Sequence, residues 1–152
     1  MPAPYRGGCQ CGAYRFEITA EPLTAYVCHC SDCQKQSGSA FGMAVVVAKD
    51  ALRVLQGDTA SYRKTAASGR EADCLFCPGC GNRLFHAGGG PVLMIKTGLL
   101  DDTTGLEPVC HLWVKDKQPW VQIPPDVLTY ETQPSDGFGA LIERYKARTA
   151  RA

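Results

Sequence analysis

The stretch YVCHCSDCQKQSGS, residues 26–39, places Cys28, Cys30 and Cys33 within six positions. Three thiols are too many for one disulfide and one too few for a closed tetrahedral metal site. In an extended segment side chains two apart share a face, so Cys28 and Cys30 converge, and Cys33 follows on the first turn of a short helix. Three thiolates can hold a zinc with one position open, which marks a catalytic rather than a structural site. Cys74, Cys110, His86 or His111 could close that position from a distance, although local spacing recommends none of them. His29 points to the other face by the same alternation and receives no role.

A second set begins with CPGCG, Cys77 to Gly81. Two thiolates separated by two residues can bind one metal from a tight knuckle, whose amides face the sulfurs and offset their charge. Gly81 allows the chain to leave with positive φ. A thioredoxin-like redox pair is the rival, but such a pair opens a helix after a strand. Here GNRLFH continues as a strand, which favours the knuckle. A structural zinc needs two further ligands. Cys9 and Cys11 in GGCQCG can supply them from one face of the chain. Cys74 is then a strand residue beside the site, and Cys110 a core thiol.

These thiols need a frame. Alternation at Tyr14, Phe16 and Ile18 predicts a half-buried strand, and FGMAVVVA (41–48) a buried one. Further strands are expected at SYRK (61–64), ADCLF (72–76), RLFH (83–86), VLMIKTG (92–98) and CHLWV (110–114). Turn signals recur about every ten residues, the spacing of an all-β domain. Two helices are expected. The first runs through SDCQKQSG, capped by Ser31 or Asp32 and ended by Gly38. The second follows Ser135 or Asp136 and carries the stripe Phe138, Leu141, Ile142 and Tyr145, which docks on the sheet.

The 152 residues fit a single zinc-binding domain over 1–152 with a real hydrophobic core. A formal net charge of +1 gives no pull toward nucleic acid or an anionic membrane. The basic tail ERYKARTARA is explained as well by a solvated helix end. With no apolar signal core at the N-terminus and no membrane-length stretch, the expected compartment is the reducing cytoplasm. Nine cysteines, an odd count, then point to metal or thiol chemistry rather than a disulfide framework.

Taken in order, GGCQCGAYRF, CHCSDCQKQSGSAF, FCPGCGNRLF and HLWVKDKQPW resemble the glutathione-dependent formaldehyde-activating enzyme family, which includes centromere protein V. The resemblance spans about residue 7 to 130. It implies a mainly β, tent-like fold of antiparallel sheets built around two zinc ions. Carried over by position, Cys9, Cys11, Cys77 and Cys80 match the structural zinc, and Cys28, Cys30 and Cys33 the catalytic one. Cys74 and Cys110 stand outside that seven-cysteine pattern. A zinc bearing three thiolates prefers sulfur as its fourth ligand. The resemblance supplies glutathione as that thiol and formaldehyde as the aldehyde, hence a carbon–sulfur lyase or synthase acting on an S-hydroxymethyl adduct. Candidate groups for glutathione's carboxylates are the Gly38 and Ser39 amides, Lys35 and Arg15. Two other classes stay open: a non-catalytic zinc-stabilised binding module, and a thiol redox enzyme resembling methionine sulfoxide reductase B.

Overall fold

In a computed structural model that describes residues 3–66 and 68–150, the chain forms two β-sheets and two helices. The smaller sheet is antiparallel, in the order β1 (Tyr5–Gly8), β2 (Arg15–Ile18), β5 (Leu52–Gln56). The larger has eight strands. It contains β3 (Thr24–Cys28), β4 (Gly42–Ala48), β6 (Ala60–Thr65), β7 (Glu71–Phe76), β8 (Arg83–Ala87), β9 (Val92–Lys96), β10 (Cys110–Leu112) and β11 (Leu128–Tyr130). Its spatial order is β11-β10-β3-β4-β9-β8-β7-β6. The helices are α1 (Ser31–Ser37) and α2 (Gly139–Thr149).

The expected strands are present, and β1, β3, β5 and β11 are added to them. The antiparallel expectation holds except around β10, which runs parallel to both β3 and β11. The core lies between the sheets. Tyr14, Phe16 and Ile18 pack there against Ala25, Val45, Val47 and Ile95 of the large sheet. The opposite face of that sheet carries Tyr26, Cys28, Ala44, Val46 and Leu112, covered in part by Leu141 of α2. Strand β4 is therefore buried on both faces, which is why its sequence is a continuous apolar run rather than an alternation.

Both helix starts differ from expectation. No side chain caps α1, and the residue before it is Cys30, in extended conformation. The Cys30 sulfur is the group that the Cys33 and Asp32 amides face, so a thiol stands where Ser31 or Asp32 was expected. The C-terminal end is as expected, with Gly38 left-handed at φ 59. Helix α2 begins only at Gly139, because Gly137, at φ 81, turns the chain after Ser135 and Asp136. Its Leu141 and Tyr145 are buried, and the Thr24 hydroxyl donates to the Leu141 carbonyl at 3.1 Å, fixing α2 to β3.

Candidate active site

The two cysteine-rich turns at residues 9–12 and 77–81 come together. The Gly12 amide closes the first turn on the Cys9 carbonyl (3.0 Å), and the Gly81 amide closes the second on the Cys77 carbonyl (2.8 Å). Gly81 leaves its turn at φ 72, as the knuckle requires. The Gln10 amide donates to the Asn82 side chain at 3.0 Å and joins the turns. The sulfurs of Cys9 and Cys11 lie 3.5 Å apart, those of Cys11 and Cys77 3.7 Å, and all four, Cys80 included, lie within 4.8 Å of one another. Burial pushes the Cys9 thiol up. The Tyr14 amide and the Cys11, Cys77 and Cys80 thiols outweigh it and bring Cys9 down to about 6.

The second group sits where β3 runs into α1. Cys28 and Cys30 are 3.5 Å apart, and with Cys33 they form a buried set of three sulfurs within 4.8 Å. The thiols of Cys28 and Cys33, then the Cys33 and Asp32 amides, hold Cys30 down to about 2. Cys28 is pushed up by the Cys30 and Cys33 thiols and by burial. The donor set is soft and anionic, and it fits a thiophilic cation. The start of β4 passes close by: a Cβ on Gly42 would stand 3.3 Å from the Cys33 Cβ.

None of the four distant candidates joins this group among the described residues. Cys110 is fully buried in the sheet, and burial pushes its thiol up to about 12. His111 is paired with His29, Nδ1 to Nε2 at 2.8 Å, on the side away from the cysteines. Cys74 and His86 face each other across β7 and β8 and line a cavity of ≈ 720 Å³, onto which Cys28, Cys30 and Cys33 also open. The Nδ1 atom of His86 is buried without a hydrogen-bond partner, and burial, then Lys96 and Arg83, pushes the ring down to about 3. The four-cysteine group has no part in this cavity.

Of the groups expected to hold carboxylates, Lys35 lines the cavity. Arg15 is engaged by Asp101, with Nη1 to Oδ1 at 2.9 Å, and does not line it. The Gly38 and Ser39 amides bond the Lys35 and Gln34 carbonyls (3.4 and 3.2 Å), so they close the helix. Sequence reasoning missed Lys64, Arg70, Arg83 and Trp113, which also line the cavity. Their contribution depends on strand order, for which no local signal exists. Arg83 and Trp113 lie within quoted motifs, FCPGCGNRLF and HLWVKDKQPW, yet neither motif marks them as cavity residues. Trp113 adopts a left-handed backbone, φ 58 and ψ 43, which bulky residues rarely take.

The family model for the glutathione-dependent formaldehyde-activating enzyme matches residues 4–116, both cysteine groups included. The chain belongs to that family. This family member is 37% identical over 81 residues to a Penicillium rubens protein whose name provisionally assigns it as a glutathione-dependent formaldehyde-activating enzyme. The match covers 51% of this chain and 40% of the relative, so the chain spans well under half of that protein's length. It is also similar to the crystal structure of a Rhodobacter sphaeroides protein, at 26% identity and a TM-score of 0.51. That alignment covers 68% of this chain and 91% of the other.

Proposed function

We propose that the chain is a single zinc-binding domain that forms or cleaves the carbon–sulfur bond of a hemithioacetal, with glutathione as the thiol and a small aldehyde as its partner. In this reading Cys9, Cys11, Cys77 and Cys80 hold a structural zinc, and Cys28, Cys30 and Cys33 a catalytic one. The observation that carries it is the difference between the two groups. The four-sulfur set is complete and lies away from the cavity, whereas the three-sulfur set opens onto it.

When bound, zinc supplies a thiophilic centre that favours thiolate over thiol at neutral pH. The chain's residues do the rest. Lys35, Lys64, Arg70 and Arg83 outnumber Asp32 and Glu71 on the cavity lining and suit a ligand bearing carboxylates. The sulfur adds to the carbonyl carbon, the π pair moves to oxygen, and that oxygen receives the proton the thiol lost. Nothing is oxidised, and the reverse releases aldehyde and thiol. His86 stays neutral at pH 7, and its unpartnered Nδ1 is suited to accept a hydrogen bond from the resulting hydroxyl. Nine free thiols and the absence of any membrane-length apolar helix among the described residues fit a reducing, cytoplasmic setting.

The test is elemental analysis followed by calorimetry of glutathione binding in two buffers of different ionisation enthalpy. About two zinc ions per chain are expected, with release of a proton as the thiol is bound and weaker binding of S-methylglutathione. Equal affinity for the two peptides would remove the thiol from the mechanism. A fully loaded protein that engages no thiol would favour the non-catalytic binding module.

A further inference from the structure

The cavity beside Cys28, Cys30 and Cys33 must hold glutathione and aldehyde together, and it presents a broad apolar wall that a one-carbon aldehyde would leave uncovered. Formaldehyde has two heavy atoms, about the bulk of one or two waters at roughly 30 Å³ each. The cavity measures ≈ 720 Å³, within the range that encloses ligands of many atoms. The strand order divides its lining. Lys64 and Arg83 come from β6 and β8, at one end of the large sheet, and Arg70 from the turn before β7.

Tyr62 and Ala72 add apolar surface at that end, but most of the apolar lining comes from the other strands. Tyr26, Val46, Met94 and Leu112 line it from β3, β4, β9 and β10, and Val46 pairs directly with Met94. Trp113, Phe138 and Ile142 complete the lining. Phe138 packs on Tyr26 with ring centroids 5.6 Å apart. Phe138 and Ile142 lie beyond residue 116, where the family match ends, so that part of the surface falls outside the matched segment. Trp113 is held there in a left-handed backbone conformation that persists only when its surroundings impose it.

We propose that the aldehyde taken by this chain is hydrophobic, with an alkyl or aryl group of about six carbons lying against Tyr26, Met94, Trp113, Phe138 and Ile142. The carboxylates of the thiol partner face Arg70 and Arg83, Lys64 being already paired with Asp32. This rests on the thiol-addition reading of the same site and names its substrate class. The chemistry is unchanged: one carbon–sulfur bond forms, and the thiol proton ends on the former carbonyl oxygen.

The probes are S-hexylglutathione and S-methylglutathione, titrated into the zinc-loaded protein by calorimetry and, in a Trp120→Phe background, by the fluorescence of Trp113. Each buried methylene is worth about fourfold in affinity, so the hexyl form should bind at least about tenfold more tightly. Hexanal should likewise exceed formaldehyde in kcat/KM with glutathione. Phe138→Ala should shrink the hexyl-to-methyl ratio at least about threefold. Ile142→Ala should act in the same direction and replaces Phe138→Ala if that variant does not fold. Turnover of formaldehyde with equal binding of the two S-alkyl peptides overturns the hydrophobic-aldehyde proposal and leaves the thiol chemistry standing. Failure of free glutathione, as well as both S-alkyl forms, to bind the zinc-loaded protein overturns the thiol chemistry itself, and the proposal with it.

Discussion

His29 and His111 lie back to back with the Cys28–Cys33 group, their rings 5.1 Å apart between centroids and joined by one hydrogen bond. One ring must donate and the other accept, so the pair cannot take a second proton without losing that bond. Burial first, then the His29 ring and Lys117, pushes His111 down to about 4. In the unfolded chain an imidazole takes its proton near pH 6.5. Between those values protonation favours the unfolded chain. The contribution is therefore intact above about pH 6.5 and is lost as the pH falls toward 4. A ¹H–¹³C titration should place the His111 midpoint near 4; a midpoint near 6.5 would show that the ring is not confined as described. Alternation about Cys28 and Cys30 was enough to turn His29 away from the thiols. Nothing in the sequence announced His111 as its partner, because the pairing depends on β10 lying beside β3.

Close approach decides where the strands can lie, and β1 shows it most clearly. A Cβ on Gly7 would stand 2.5 Å from the Leu99 carbonyl oxygen and 3.1 Å from the Leu100 Cα, both backbone atoms that cannot swing aside. Gly7→Ala should cost about 1–3 kcal/mol through overpacking, measured by urea unfolding. Gly90→Ala, with nothing within 4 Å of its Cβ, should be close to neutral. Equal losses would mean that β1 does not seat against residues 99–100. The elements legible in the sequence were those with local signatures, such as the valine run of β4 or Gly38 at the end of α1. Strand β3 escaped although its five residues are all buried, because Thr24–Cys28 neither alternates nor forms a pure apolar run. Strand β5 is mostly exposed and β1 half glycine, so neither offers a pattern to read.

The cysteine groups differ most at the scale of the whole chain. Cys11 and Cys77 are 66 positions apart, so a metal held between them closes a loop comparable to that of a long-range disulfide. Such closure is worth roughly 4 kcal/mol in the chain-entropy view, whereas Cys28, Cys30 and Cys33 close only a local segment. Cys77→Ala should therefore melt or fail to fold, while Cys30→Ala should stay folded and lose about one zinc ion. Circular dichroism and metal analysis of both variants test this, and the opposite pattern would exchange the two roles. Cysteine spacing made the ligand sets legible because each half of a site is local. The cavity was not legible, since its lining converges from most of the chain's length. That lining also bears on descent. The sulfur ligands lie within the segment shared across the family, and Phe138 and Ile142 lie past it. On the proposed reading, a chimaera that keeps both cysteine groups and carries another member's C-terminal segment exchanges only the Phe138 and Ile142 part of the cavity wall, and its preference among S-alkyl glutathiones should shift with that exchange.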